Sequence, residues 1–270
     1  MQETSEAALA PVLTGTMGWS YEDWRGPFYE ERLPQPKMLE QYAKLFPTVE
    51  LDSTFYGFPR PETLTGWLAQ TPESFVFSAK VPRAVTHERR LVGAVETAVD
   101  YARLMTGGLD GRLCALLLQL PPDLTVEERP TLESFIEGVT DPRASPDAPW
   151  VVELRSPTWE GTDIAAWLAE RGVVTATTER LDLGGPLRYV RLLGIENSVA
   201  RFDAAQIDRA ADIDAWAKRI DAARRASPET ILVYVRNFFE GHAPATLAKL
   251  RERLGLPTQT PPGQQQMSLF

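Results

Sequence analysis

The chain is poor in the residues that build redox and metal chemistry. Among 270 residues there is one cysteine, Cys114, and two histidines, His87 and His242. A lone cysteine cannot close an internal disulfide, so nothing points to an oxidising compartment. Two histidines are too few for a histidine-rich multi-metal cluster. Long apolar runs are also missing: the longest, Leu113–Leu118, falls far short of a bilayer span. The opening MQETSEAALA lacks the basic and apolar stretches of a secretion signal. Positive charge is in deficit, with 28 basic against 37 acidic residues and a formal charge of −9. That balance argues against a broad basic face for duplex nucleic acid but leaves room for a local basic pocket. No GxxxxGK[ST], HExxH or CxxC motif occurs, and Gly15-Thr-Met-Gly18 is too sparse for a dinucleotide fingerprint. These absences together predict a cytoplasmic protein of enzyme size with no membrane partner.

What is present reads as an α/β protein. Hydrophobic residues make up 43% and charged residues 24%, ordinary globular proportions. Eight β-branched or aliphatic runs predict strands at Val12–Gly18, Val49–Thr54, Phe75–Lys80, Leu113–Leu120, Trp150–Arg155, Val173–Thr177, Leu187–Leu193 and Ile231–Arg236. Runs as apolar as LCALLLQL and ILVYV suit parallel strands covered on both faces, which puts Cys114 in the core. Amphipathic segments separate them, among them MLEQYAKLF, PETLTGWLAQ, LVGAVETAVDYARLM and APATLAKLRERL. Alternation of this kind over about 250 residues predicts a (β/α)₈ TIM-like barrel. One unit is irregular, because the connection between strands six and seven is only TERLDLGGP, too short for a crossover helix. The expected organisation is a disordered stretch at 1–10, a barrel domain over 11–255 and a flexible tail at 256–270. The tail prediction rests on LPTQTPPGQQQMSLF, which has no charged side chain and little to bury.

In a parallel barrel the chemistry gathers where strands end. Period-two alternation places Glu50, Asp52 and Thr54 on one side of strand two. Lys80 and Arg83 end strand three, and Gln119 ends strand four. Glu153 and Arg155 share a face of strand five, Arg191 lies on strand seven, and Arg236 and Asn237 end strand eight. These groups predict a polar pocket for a phosphate-bearing or polyhydroxylated ligand, against the alternative of ion pairs that merely fill the barrel top. Arg191, Arg236, Asn237, Gly241 and His242 read as an anion site at the N-terminus of a helix containing Pro244. Glu50 and Asp52 beside Lys80 should raise its pKa, which favours a charge clamp over a Schiff base. Thr86 reads as the N-cap of the third helix, with His87 beside it. Strands four and seven end in Gln119 and Arg191, so the acid pair of many barrel glycosidases is missing.

The segments GTMGWSYEDWRGPFY, VELDSTFYGFP, FVFSAKVPRAVTHERRL, LLLQLPP, VVELRSPTW and NFFEGHAP stand in the order seen in the YecE-like family, a domain of unknown function (number seventy-two). The resemblance spans about Gly15 to Leu254 and implies a TIM-barrel-like fold with no established reaction. It implies functional positions at Trp19, Tyr21, Glu50, Ser53, Thr54, Tyr56, Lys80, Thr86, His87, Gln119, Glu153, Arg155, Trp159, Asn237 and His242. The chain departs from the family pattern at Asp52, where asparagine is usual, and at Ser156 and Leu193, where histidine is usual. The TATTE segment also lacks the usual aspartate.

Two functions follow. In the first, Glu50, Asp52, Lys80, Glu153 and Arg155 form a catalytic set of hydrolase or lyase type. Trp19, Tyr21, Tyr56, His87, Gln119, Arg191, Arg236, Asn237 and His242 bind the ligand, which is nucleotide or nucleic-acid derived. In the second, the barrel is a non-catalytic recruitment module, or a sugar-processing enzyme unrelated to DNA. The sequence requires no cofactor; were a metal bound, Glu50, Asp52 and Glu153 would suit magnesium or manganese. Finally, Gln266-Met267-Ser268-Leu269-Phe270 resembles the bacterial sliding-clamp-binding pentapeptide. Leu269 and Phe270 would anchor in an apolar pocket of the clamp while Gln266 hydrogen-bonds at its rim and Met267 takes the usual leucine's place.

Overall fold

The computed structural model describes residues 9–267. Nine strands appear: β1 Val12–Thr16, β2 Thr48–Leu51, β3 Val76–Lys80, β4 Leu113–Gln119, β5 Trp150–Glu153, β6 Val174–Thr175, β7 Thr177–Thr178, β8 Tyr189–Leu192 and β9 Ile231–Val235. All pairs are parallel, in two sheets ordered β2-β3-β4-β5-β6 and β1-β9-β8-β7. Helices α1 Met38–Tyr42, α2 Pro61–Ala69, α3 Val95–Gly108, α4 Arg129–Thr140, α5 Ile164–Ala169, α6 Ala210–Ala226 and α7 Ala243–Arg253 alternate with them. No helix stands between β7 and β8, in keeping with the short connection there. This is the TIM-like α/β architecture that the alternation predicts. Among the described residues no helix is long and apolar enough to cross a membrane.

The near-continuous apolar runs are explained by two cores on opposite sides of the strands. Leu116, Leu118, Val190, Val233 and Val235 pack outward with the helices. Their neighbours Ala115, Leu117, Tyr189, Leu232 and Tyr234 form a second cluster with Met17, Val151 and Ala176. Neither face meets water, so neither face needs polar alternation.

The expected sixth strand is two short ones. The Ala176 N–H still donates to the Val152 carbonyl at 2.8 Å, while Thr177 already pairs with Val190. The chain therefore changes sheets at this residue. At the other junction, between β1 and β2, the link is a single parallel bridge, Met17 with Glu50. Gly15 makes this approach possible, because a Cβ on it would lie 2.1 Å from the Thr48 carbonyl oxygen. Tyr42 from α1 completes the junction: its hydroxyl accepts the Thr16 N–H at 2.8 Å and donates to the Thr48 carbonyl at 2.9 Å.

Two local expectations are corrected. Strand β2 ends at Leu51, and Asp52 adopts helical angles at the start of a 3₁₀ turn, Ser53–Tyr56. Alternation stops there, so Thr54 leaves the pocket face and hydrogen-bonds the carbonyls of Leu51 and Lys80. Thr86 does not cap α3, which starts at Val95; it lies in a wide helical turn, Ala84–Glu88. Past Leu256, the segment that composition reads as a flexible tail carries helix α8, Pro262–Met267. The Gly263 N–H donates to the Phe28 carbonyl at 3.2 Å, and Gly263 fits because a Cβ would lie 2.1 Å from the Gly26 carbonyl oxygen. Ser268, Leu269 and Phe270 of the clamp-like pentapeptide lie outside the described residues.

Candidate functional site

The last inward-facing residues of β2, β5 and β8 are Glu50, Glu153 and Arg191, all buried. Arg191 donates from Nε and Nη2 to the two oxygens of Glu50, at 2.9 and 2.7 Å, and from Nη1 to Glu153. The Tyr189 hydroxyl donates to Glu50 Oε2 at 2.7 Å and contacts Ser78 Oγ at 2.6 Å. Gln119 Nε2 donates to Glu153 Oε1 at 2.9 Å. One guanidinium thus serves two carboxylates. The imbalance splits them: burial pushes the Glu50 carboxyl above its ordinary range despite Arg191. Burial acts on Glu153 too, but Arg191, Gln119 and Arg155 outweigh it and hold that carboxyl below its ordinary range. Glu50 and Glu153, two of the three carboxylates a hard metal would want, hold the Arg191 guanidinium between them. No group of three or more metal-ligating side chains forms among the described residues.

Above this layer lies a cavity of about 410 Å³. Six cations line it, Lys80, Arg83, Arg155, Arg180, Arg191 and Arg236, against two carboxylates, Asp52 and Glu196. In a chain of charge −9 this is a strong local inversion of sign. Phe55, Tyr56, His87, Gln119, Met17 and Leu193 complete the lining. Lys80 Nζ sits 4.2 Å from the centre of the Phe55 ring and 3.9 Å from Asp52 Oδ1. Contrary to the expectation from its acidic neighbours, its pKa is lowered, because burial and then Arg191 outweigh Asp52 and Glu50. Asp52 Oδ1 is buried without a hydrogen-bond partner. His87 bonds Thr86 Oγ1 through Nδ1 at 2.8 Å, and burial followed by Lys80, Arg155 and Arg83 lowers its pKa. The imidazole is therefore neutral near pH 7.

Other anticipated residues lie elsewhere. The expected anion site at the start of α7 is already filled. Asn237 Oδ1 accepts the first helical N–H, from Ala243, at 3.0 Å and the Trp24 indole N–H at 3.2 Å. His242 is buried edge-on against Trp24, with its pKa lowered by burial to about 4, so it stays neutral. Only Arg236 and Arg191 of that expected group line the cavity. Trp19 packs edge-on against Trp67. Tyr21 donates to the Met17 carbonyl at 2.6 Å and packs on Trp24 and Phe202. Trp159 is buried and donates to the Leu124 carbonyl. Sequence reasoning missed Phe55, Arg180 and Glu196. The signal for Arg180 was the missing crossover helix, which leaves its segment at the barrel top. There Glu179 accepts the N–H groups of Leu193 and Gly194 at 3.0 and 2.6 Å, and Arg180 reaches the Gly194 carbonyl.

The family model described as "Protein of unknown function DUF72" matches residues 13–268. The UPF0759 protein YecE of Escherichia coli K12 is 30% identical over 128 residues, 47% of this chain and 44% of that one. The UPF0759 protein YunF of Bacillus subtilis is 32% identical over 116 residues, 41% of this chain and 40% of that one. The chain thus spans under half the length of these curated relatives in the matched region. Among solved structures, a DUF72 family protein of Thermotoga maritima superposes with a TM-score of 0.74 at 24% identity, covering 91% of this chain and 99% of that one. One from Enterococcus faecalis gives 0.70 at 17% identity, covering 92% and 97%. At such identities the likeness is one of fold.

Proposed function

We propose, for a chain that belongs to the DUF72 family of proteins of unknown function, a top-face pocket that binds a small phosphate-bearing molecule and acts on it by acid–base chemistry. The observation that carries this reading is the set of five cations besides the Glu50- and Glu153-bound Arg191, namely Lys80, Arg83, Arg155, Arg180 and Arg236, against two carboxylates around a cavity of ligand size. Delocalised arginine forks suit phosphate oxygens, and a low-dielectric recess strengthens their pull. The chemistry falls to Asp52, Lys80 and His87. Asp52 and Lys80 meet only as a long ion pair, and His87 bonds Thr86 through Nδ1 alone, whereas Glu50 and Glu153 are locked onto Arg191. A neutral imidazole is a competent base at pH 7, and Lys80 and Arg155 would hold developing negative charge.

Phosphate supplied a hundredfold above its Kd should stabilise the fold by about 2.7 kcal/mol, a Tm rise of roughly 5–10 °C at this chain size. The double variant Arg155→Met/Arg236→Met should start from a somewhat lower Tm, because Arg155 supports the buried Glu153, and should lose most of the phosphate-induced rise. No rise in the wild type at ~10 mM phosphate, ten times a Kd worth about −4.1 kcal/mol, would overturn the reading.

A second reading, a non-catalytic binding and recruitment module, is favoured by the locking of Glu50 and Glu153 onto Arg191. In the first reading as in the second, the recruiting element we propose is the Gln266–Phe270 pentapeptide, docking on the bacterial sliding clamp and so bringing the barrel to DNA. A peptide of residues 260–270 should bind the clamp with micromolar affinity, and Leu269→Ala/Phe270→Ala should abolish this. Absence of binding at ~100 µM peptide, weaker than about −5.5 kcal/mol, would remove the clamp from the account.

A further inference from the structure

We infer that the ligand is a ribonucleoside monophosphate, an inference that rests on the phosphate-binding reading above and deepens it. The cavity has two unlike walls. Arg155, Arg180 and Arg236, following β5, β7 and β9, supply charge and little else. The wall that follows β2 and β3 is built differently, from Asp52, Phe55, Tyr56, Lys80 and His87.

Tyr56 is 79% exposed, an unusual place for so large a ring, and it lines the cavity. Phe55 meets it edge-on, with ring centres 5.5 Å apart and planes at 80°, which supports the tyrosine while leaving a face open. An exposed aromatic face beside a cationic recess is the arrangement on which nucleobases stack, because every base has a π-face. A phosphate or a simple anion makes no use of such a surface.

Asp52 and Lys80 provide the second observation. Asp52 is a part-exposed carboxylate whose Oδ1 accepts no hydrogen bond and faces Lys80 only as a long ion pair. Lys80 Nζ stands 3.9 Å away, beyond hydrogen-bond reach. A hydroxyl entering from the cavity would donate to the reachable part of the Asp52 carboxylate, whose side chain is 39% exposed, and accept from Lys80. A ribose hydroxyl has this dual character; a phosphate oxygen offers no donor to the carboxylate and is repelled by it. With base on Tyr56, ribose at Asp52 and Lys80, and phosphate at the arginine wall, each part of the lining has a use.

Isothermal titration of the full chain with inorganic phosphate, ribose 5-phosphate and AMP tests this. AMP should bind roughly tenfold more tightly than ribose 5-phosphate, within what one stacked base contributes. Tyr56→Ala should erase that advantage and leave ribose 5-phosphate unchanged. Asp52→Ala should act in opposite directions, weakening ribose 5-phosphate by roughly fivefold, an ordinary loss for one hydrogen bond, while tightening inorganic phosphate by removing a negative charge. If AMP and ribose 5-phosphate bind alike, or Tyr56→Ala weakens both equally, the nucleoside inference falls and the phosphate reading stands. If none of the three binds, both fall.

Discussion

Replacing Arg191 by methionine is expected to lower stability by at least about 5 kcal/mol near pH 7.5, because it strands two buried carboxylates rather than one. At this chain size the melting temperature should drop by roughly 10–20 °C. The loss should depend on pH in a defined sense. In the wild type, Glu50 sits above its ordinary pKa; its contribution is complete below the unfolded carboxyl value and fades as pH rises through the folded one. Glu153 sits below its ordinary value; its contribution is complete above the unfolded value and fades as pH falls through the folded one. Without Arg191 both carboxyls become raised groups, so acid relieves the variant. The gap between the two melting temperatures should therefore narrow from pH 8 towards about pH 5, where raised carboxyls take up protons. Melts across that range decide it. A gap under about 3 °C at neutral pH, less than the effect of two kcal/mol, would mean that the carboxylates find other partners.

The second large effect is expected at Gly15. An alanine Cβ there would lie 2.1 Å from the Thr48 carbonyl oxygen and 2.8 Å from its carbon, both backbone atoms of a neighbouring strand. Neither can rotate away, so β1 and β2 must separate. Overpacking of this kind costs about 3 kcal/mol, and separation also breaks the Tyr42 hydroxyl bridge between Thr16 and Thr48. The melting temperature should fall by roughly 6–12 °C. Amide exchange should accelerate at Thr16 and Gly18, whose N–H groups cross this junction to Tyr42 Oη and the Glu50 carbonyl. A Gly15→Ala protein that melts within about 2 °C of the wild type would show that the strands tolerate the spacing.

The elements with local signals were the legible ones. Apolar runs marked the strands, and Pro244 marked the first turn of α7, where it is found. The pocket's Asp52, Lys80, Gln119, Arg155, Arg191 and Arg236 were legible because each closes a strand or follows one. What escaped depended on distant partners. Asn237 became a structural cap through Trp24, 213 residues away in the chain. The split at Ala176 follows from one N–H reaching back to Val152, which composition does not encode. Phe55 and Arg180 lie in turns whose direction is set by hydrogen bonds to other loops. The raised Glu50 and lowered Glu153 could not be told apart without knowing that they share one arginine.

The junction at Gly15 and the sheet change at Ala176 divide the barrel into two half-shells. One half holds β2 to β6 and presents Asp52, Tyr56, Lys80, His87 and Arg155 to the cavity; the other holds β7, β8, β9 and β1 and presents Arg180, Arg191 and Arg236. Backbone ladders run within each half, whereas the backbone links across the two seams are one bridge and one amide, helped by the Tyr42 hydroxyl. Inside the strands, the Arg191 pairs with Glu50 and Glu153 and the Tyr189 hydroxyl also span the halves. The ligand proposed above would touch both halves and add a further strut across the two seams. Its binding energy is then also a brake on the parting of the shells, and the slowest-exchanging amides of the bound protein should include those along both lines.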